Sequence, residues 1–288
     1  MPKLRHHLLA ALVVFIWGVT FVNSKVLLQH GLEAHEIFTL RFLFAYICIW
    51  FISPRRIWAD TWKEELQFFL LGITGGSLYF VTENLAVKID YVNNVSFIVC
   101  TAPLLTTILA ILFLKDVHAT RPLISGSVIA TLGVALVVFN GHFILKLHPL
   151  GDLLAFLAAL CWAIYSIQLR SIGKKYGAIF ITRKVFFYGL LTILPMFIFQ
   201  PWSFSLRVLL QPVVWGNLLF LGVVASFSCF LLWSWVSKKL GALVASNYIY
   251  LNPVSTVVAS ALVLDEPMTW LAYLGSALIL IGVYFSNK

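Results

Sequence analysis

An internal repeat between two apolar stretches, residues 8–28 and 153–173, constrains this chain more than any other feature. At a constant offset of 145 positions, Trp17 aligns with Trp162 and Lys25 aligns with Arg170. Further pairs follow in the same order along the chain: Arg41 with Arg183, Lys88 with Lys238, Pro103 with Pro253, Gly126 with Gly275, and Gly133 with Gly282. Matches kept in order indicate a duplication, so we predict two related halves, residues 1–145 and 146–288.

Composition places both halves in a membrane. The chain is 61% hydrophobic and 11% charged, whereas a soluble domain is about 25% charged. Its apolar runs are long enough to cross a bilayer as helices and too long for the alternating strands of a β-barrel. The predicted spans are 8–28, 37–53, 66–87, 92–114, 122–139, 150–170, 179–199, 213–236, 243–264 and 269–286. We therefore predict an all-α integral membrane protein with ten transmembrane helices.

Five spans in each half is an odd number, so the second half must enter the membrane from the opposite face. The two halves are therefore predicted to be inverted repeats around a central cavity. Such halves can expose one central site first to one face and then to the other, which favours a transporter. A symmetric channel is the alternative.

The distribution of Lys and Arg predicts the orientation, because short loops rich in these residues stay in the cytoplasm. One side collects 15 of the 20 basic residues: Lys3, Arg5, Arg55, Arg56, Lys63, Lys115, Arg121, Arg170, Lys174, Lys175, Arg183, Lys184, Lys238, Lys239 and Lys288. We expect a multi-pass protein of the inner (plasma) membrane with both termini in the cytoplasm. This bias accounts for the net charge of +9 without nucleic-acid binding.

Several short motifs resemble one family of membrane proteins. They are Trp17-Gly18-Val19-Thr20-Phe21, Leu40-Arg41-Phe42, Asn84-Leu85-Ala86 and Thr101-Ala102-Pro103-Leu104 in the first half, and Gly151-Asp152-Leu153-Leu154-Ala155, Leu251-Asn252-Pro253-Val254, Asp265-Glu266-Pro267 and Gly275-Ser276-Ala277-Leu278 in the second. The chain resembles the EamA-type family of the drug/metabolite transporter superfamily. The resemblance implies ten helices around a central cavity, with the fifth and tenth packed outside it. It also implies secondary-active or facilitated transport of a small metabolite. Amino acids are the leading candidate substrates, and export is the expected direction.

Glu83 is the most informative polar residue inside a predicted span, because an acid in hydrocarbon must be paired or line water. It is predicted to carry a coupling proton, to bind a substrate amine, or to have only a structural role, paired with Arg41 or placed near the water interface. For Arg41 and Arg183 we expect the side chains to reach towards lipid headgroups.

Other polar and aromatic residues inside the spans are candidates for the cavity wall. Trp17 and Thr20 share one side of a helix, and Trp17 is too deep for an interfacial tryptophan. The predicted substrate-binding residues are Trp17, Tyr79, Glu83, Asn94, Trp162, Tyr165, Asn247 and Tyr248. Aromatic walls suit amphipathic or aromatic metabolites, including aromatic amino acids. Pro103 and Pro253 are predicted to kink their helices near the midplane.

No catalytic or metal-binding pattern accompanies these residues. The four cysteines lie in spans without ligand spacing, and the seven histidines fall in predicted loops or termini. We predict a protein that is not an enzyme and has no cofactor or metal. The rival functions are a membrane-embedded enzyme, a receptor without transport, and a carrier of nucleotide sugars, drugs or lipids. Gly126 and Gly133 suit helix contacts within a monomer or between two copies of a homodimer.

The orientation can be tested with reporter fusions. Because both termini are predicted to be cytoplasmic, green fluorescent protein fused after Lys288 should fluoresce, and alkaline phosphatase at the same position should be inactive. The same phosphatase fused after His142, in a predicted external loop, should be active. The reverse activities would invert the assigned topology.

Overall fold

The computed structural model describes residues 2–53, 57–90, 92–114, 120–139, 148–263 and 269–286. Helices joined by short connectors make up these residues. The first half contains α1 (Pro2–Gln29), α2 (Ala34–Trp50), α3 (Trp62–Gly72), α4 (Leu78–Ile89), α5 (Val92–Val99), α6 (Ala102–Phe113) and α7 (Arg121–Phe139). The second contains α8 (Pro149–Ile172), α9 (Ala178–Ile193), α10 (Met196–Phe199), α11 (Leu206–Leu209), α12 (Pro212–Leu219), α13 (Cys229–Leu240), α14 (Ala242–Ser246), α15 (Asn252–Val263) and α16 (Trp270–Ser286).

Five helical stretches in the described residues are long and apolar enough to cross a membrane. They are Leu4–Gln29, Val95–Phe113, Pro149–Ile172, Ala178–Phe199 and Pro212–Leu240. Two shorter apolar helices, Arg121–Leu136 and Tyr273–Ser286, accompany them. The all-α prediction is confirmed over the described residues, and the arrangement of ten spans in inverted repeats stays a prediction.

Two long helices contain π-helical segments at matching places in the two halves. Ile73–Ser77 joins α3 to α4, and Phe220–Ser228 joins α12 to α13. Lys88 aligns with Lys238 at an offset of 150 positions. At the same offset, Ile73–Ser77 aligns with residues that lie within Phe220–Ser228. In the first, the backbone leaves helical geometry at Gly76. Wider turns of this kind are frequent at functional sites.

The helices of one half pack mainly on those of the other. α1 lies against α15, α4 against α8, and α3 against α9. Their contact surfaces form one aromatic core in which the side chains of Phe38, Phe42, Phe186 and Phe230 are almost fully buried. Because this core belongs to both halves, a cavity inside it is bounded by both.

Glycines bring α7 and α16 into close backbone contact. A Cβ on Gly126 would lie 2.3 Å from the backbone nitrogen of Ser286, and one on Gly133 would lie 2.6 Å from the carbonyl oxygen of Gly275. These glycines therefore serve a contact within the chain, which is one of the two roles that their spacing allowed.

A buried polar network closes one end of the bundle. We call this the terminal end, because it carries Pro2 and Ser286. At this end His6 packs on Trp235, and Asn247 donates a hydrogen bond to the Ser286 carbonyl. The Glu65 carboxylate accepts hydrogen bonds from Lys184 and Tyr188 of the other half, and from the Ala59 backbone N–H at 2.8 Å.

The Glu65–Lys184 ion pair at the terminal end is almost fully buried, since the two side chains are only 7% and 3% exposed. Burial acts to raise the pKa of Glu65, but the hydrogen bonds from Lys184, Tyr188 and Ala59 together hold this pKa below its usual value. Close by, Lys175 pairs with Glu64 and, at 3.0 Å, with Asp60. The two halves are thus joined by ionic contacts at this end.

A second set of contacts closes the opposite, distal end. The Glu36 carboxylate accepts hydrogen bonds from the backbone N–H of Ser203 at 2.5 Å and from its hydroxyl at 3.1 Å. Gly151, in the first turn of α8, packs closely on Asp90 at the end of α4, because a Cβ on Gly151 would lie 2.9 Å from the Cβ of Asp90. Lys88 and Glu33 form an ion pair of 2.6 Å that is exposed and lies within the first half. The distal end is therefore also held by contacts between the halves.

The helix contact predicts the effect of adding one methyl group. Gly126→Ala should lower the free energy of unfolding by about 1–3 kcal/mol, because the new Cβ meets backbone that cannot move aside alone. Gly216→Ala is the matched control, since a Cβ on Gly216 of α12 meets nothing within 4 Å. SDS-induced unfolding in detergent micelles measures both. Equal stability of the two variants would contradict the close contact.

The ion pairs predict a second contrast in stability. Glu65→Gln leaves Lys184 buried without its counter-charge and should cost about 3–5 kcal/mol. Glu33→Gln removes the exposed partner of Lys88 and should cost about 0–1 kcal/mol.

Because the pKa of Glu65 is lower in the folded protein, its stabilising effect is complete above the ordinary glutamate pKa of about 4.3. The effect is lost as the pH falls through the lowered value. Unfolding at pH 7 and in acid should therefore show a difference between wild type and Glu65→Gln that shrinks in acid. A difference independent of pH would refute this role.

Candidate functional site

A cavity lies between the two halves inside the aromatic core. Its wall is formed by Trp17, Thr20 and Phe21 of α1, Arg41 of α2, Tyr79, Phe80 and Glu83 of α4, Val99 and Ala102 around the α5–α6 break, Trp162 of α8, Phe230 of α13, and Ile249 and Asn252 before and in α15. Both halves contribute, and no described residue of α7 or α16 does. The cavity volume is about 20 Å³, which is room for about one water molecule.

Aromatic rings form most of the wall. The Trp17 and Trp162 rings meet edge to face at 5.1 Å between centroids, and Tyr79 lies 5.2 Å from Trp162. The indole N–H of Trp17 donates to the carbonyl of Ala225 at 2.9 Å, in the π-helical segment of the other half. Trp17 therefore both walls the cavity and connects the halves.

Glu83 brings a carboxylate to this wall. Its side chain is 3% exposed, and Tyr79, one helical turn earlier in α4, lines the same cavity. The Arg41 guanidinium also lines this wall, and its positive charge interacts with the carboxylate electrostatically. The cavity wall thus contains a carboxyl group and a guanidinium group.

Arg41 is the residue that sequence reasoning missed, because we expected it to reach a headgroup. It is 1% exposed; its Nε donates to the Ser226 hydroxyl at 2.9 Å, and its Cζ lies 4.1 Å from the centre of the Phe80 ring. Arg183, its repeat equivalent, instead donates to Ser53 near Trp50. Equivalent positions in the two halves therefore have different surroundings.

Four of the predicted site residues, Trp17, Tyr79, Glu83 and Trp162, line the cavity. Tyr165 does not line it; the residue is fully buried, with its ring 5.1 Å from Trp162 and packed against Gly75. The side chain of Asn94 lies outside the described part of the chain.

Asn247 and Tyr248 also point elsewhere. Asn247 donates to the carbonyl of Ser286 in α16, and the Tyr248 hydroxyl lies 2.6 Å from Nδ1 of His7 in α1. The physical reason is the 3₁₀-helix at Asn247–Leu251, where residues turn by about 120° each instead of about 100°. This geometry brings Ile249 and Asn252 to the cavity instead.

Both predicted proline kinks coincide with breaks between helices. Pro103 lies in the first turn of α6, after the break at Cys100 and Thr101, and Pro253 lies in the first turn of α15, after the 3₁₀-helix. Proline fits there because the first turn needs no N–H donor. The cavity-lining residues Ala102 and Asn252 directly precede these prolines, so the breaks bring backbone to the cavity.

The described residues contain no group of three His, Cys, Asp or Glu side chains that could hold a metal ion. One acid, one guanidinium and several rings form a site that suits reversible binding of a small polar molecule with an apolar part.

Comparisons with known proteins agree with this architecture. The sequence profile of the EamA-like transporter family matches residues 4–139 and again residues 149–288. An uncharacterized transporter of Archaeoglobus fulgidus is 30% identical, with 95% of each chain covered. A probable amino-acid metabolite efflux pump of Escherichia coli is 26% identical, with 96% of this chain and 92% of that protein covered. One crystal structure shares the fold with a TM-score of 0.77 at 14% identity, covering 99% of this chain and 97% of the other.

The profile covers nearly the whole chain, the relatives align along almost their full length, and the described helices are apolar enough to cross a bilayer. The protein is therefore a multi-pass membrane protein that belongs to the EamA-like transporter family.

Proposed function

We propose that this protein exports a small organic metabolite, with amino acids as the leading class, by alternating access between two inverted five-helix halves. The observation that carries the proposal is the cavity whose wall comes from both halves and contains Arg41 and Glu83. The twofold match of the family profile supports the division into residues 1–145 and 146–288. Membership of the family also supports ten transmembrane helices, a small-molecule substrate and a protein that is not an enzyme.

Contacts at both ends support alternating access. The Glu65–Lys184 pair joins the halves at the terminal end, and the contacts of Glu36 with Ser203 and of Asp90 with Gly151 join them at the distal end. A cavity of about 20 Å³ is too small for an amino acid. One of the two sets of contacts must therefore open before a substrate enters, and the other before it leaves.

Amino acids fit this site for two reasons. The Escherichia coli relative is named a probable amino-acid metabolite efflux pump. The cavity wall also combines rings with charged groups of both signs, which suits a small molecule with an apolar side chain and polar ends. Aromatic amino acids make the best use of the rings.

Glu83 is the proposed coupling group. It is buried and lines the cavity, so a proton reaches it when the cavity opens to one side. Binding a proton from one face and releasing it at the other would couple substrate export to the proton gradient.

The terminal end is proposed to face the cytoplasm of the inner (plasma) membrane. Lys174, Lys175, Lys238 and Lys239 are exposed around this end, and positive charge is retained on the cytoplasmic side. Substrate then enters from the terminal end and leaves through the distal end.

Counterflow in proteoliposomes tests this proposal. The purified protein should exchange a labelled amino acid from a panel saturably, and an imposed pH gradient should drive net flux. Glu83→Gln should keep exchange at a lower apparent affinity, because the amide oxygen still accepts a hydrogen bond but carries no charge. It should lose the response to the gradient, because the amide cannot carry the proton. Glu33→Gln is the matched control, since its carboxylate is exposed and outside the cavity; it should behave as wild type.

Two results would contradict the proposal in different ways. Net flux of Glu83→Gln that still follows the pH gradient would remove Glu83 as the coupling group. Absence of flux for every amino acid would reject the substrate class, and the same liposomes would then be assayed with nucleotide sugars, drugs and lipids.

A further inference from the structure

We infer that the cavity recognises both charged ends of an α-amino acid separately, with Arg41 and Trp162 binding the carboxylate and Glu83 binding the ammonium group. The inference rests on the proposed function and refines it. It names the substrate class by the groups that the site can hold.

Unpaired hydrogen-bond donors are the first observation. Arg41 uses its Nε on Ser226, but its Nη1 is buried and finds no acceptor in the described part of the chain. The indole N–H of Trp162 is also buried and unpaired, although Trp162 is only 4% exposed. Buried donors nearly always have a partner in folded proteins. Two that line the same cavity indicate a ligand that supplies acceptors.

A comparison within the same wall sharpens this argument. The ring of Trp17 lies 5.1 Å from that of Trp162, yet its own N–H is satisfied by the Ala225 carbonyl. An indole can therefore find a backbone acceptor in this core. The N–H of Trp162, which lines the cavity, has no such acceptor among the described residues.

The opposite requirement is met on the other part of the wall. Glu83 supplies a carboxylate, and Oδ1 of Asn252, which also lines the cavity, is buried without a donor among the described residues. An ammonium group carries three donors and no acceptor. Glu83 and Asn252 therefore provide acceptors for an amine, as Arg41 and Trp162 provide donors for a carboxylate.

Proximity of the two charges selects among zwitterions. Arg41 and Glu83 line the same small cavity, so a ligand that meets both must carry a negative and a positive group on a short skeleton. The α-amino acids do so, since both groups are attached to one carbon atom. Diamines and dicarboxylates carry charges of one sign only, and the charged groups of long ω-amino acids lie far apart. Phe21, Phe80 and Phe230 form the remaining wall and suit an aromatic or large apolar side chain.

Analogues that lack one charged end test the inference. Inhibition of labelled phenylalanine counterflow would be measured with phenylalanine, with phenethylamine, which lacks the carboxylate, and with 3-phenylpropanoate, which lacks the amine. If another amino acid of the panel has the highest flux, the assay uses that amino acid, the amine that lacks its carboxylate and the acid that lacks its amine. In wild type, each analogue should inhibit at least about tenfold more weakly than the amino acid, because it leaves a charged group unpaired.

Variants then assign each end to its residues. Trp162→Phe keeps a ring and removes only the N–H, so it should raise the half-inhibitory concentration of the amino acid about tenfold and that of the amine by less than about twofold. Arg41→Gln should act in the same direction and more strongly. Trp17→Phe is the indole control, because its N–H is already bonded within the protein; it should affect amino acid and amine alike. Thermal melting in detergent checks that each variant is folded.

The outcomes separate this inference from the proposed function. Equal losses for amino acid and amine in Trp162→Phe and Arg41→Gln, with amino-acid counterflow in wild type, would overturn the inference and leave the proposed function in place. Wild type that moves no amino acid would overturn both. A loss confined to ligands with a carboxylate is the result expected.

Discussion

The structure depends on one constraint: a polar group surrounded by hydrocarbon must find its partner inside the protein. Helices meet this demand for most of the backbone. Near the irregular stretches, side chains add further hydrogen bonds: Thr101 donates to the carbonyl of Ile98 before α6, and Thr74 donates to that of Leu70. Both carbonyls also accept from a backbone N–H. The hydroxyl of Thr256 lies 2.9 Å from the Gly18 carbonyl and ties α15 to α1. Irregular backbone is tolerated here because it lies inside the bundle.

Regular and irregular helices are divided between different parts of the molecule. α7 and α16 are uninterrupted, and the glycines of each helix pack against the backbone of the other. None of their described residues lines the cavity. The helices that reach the wall include those broken before Pro103 and Pro253 and those with π-helical turns. Tight backbone packing resists bending, whereas wider turns and breaks allow it. The division separates a stiff pair of helices from the elements around the cavity.

The all-α membrane architecture could be predicted from the sequence, because long apolar runs indicate helices that cross a bilayer. The family profile matches the chain twice, in agreement with the predicted duplication. Trp17, Tyr79, Glu83 and Trp162 could be identified because polar and aromatic residues deep in a span need a reason to be there. The places of Asn247 and Tyr248 could not, since helical spacing assumes α geometry and a 3₁₀-helix turns the side chains by a different angle.

Arg41 was missed for a related reason. Alignment with Arg183 suggests one role for both, and each does donate to a serine. Ser226 places Arg41 at the cavity, and Ser53 places Arg183 at the terminal end. Partners that lie 185 and 130 positions away decide the difference, and a single sequence does not reveal such contacts.

The small volume of the cavity has a consequence for the energy balance of the cell. Protons cross proteins along continuous files of water, and a space of about 20 Å³ holds about one water molecule. The rings of Trp17, Tyr79, Phe80 and Phe230 around that space offer few groups that could extend such a file. The cavity in this conformation therefore offers no continuous file of water to protons. A cell could insert many copies of a carrier in such a conformation without dissipating its membrane potential through this cavity.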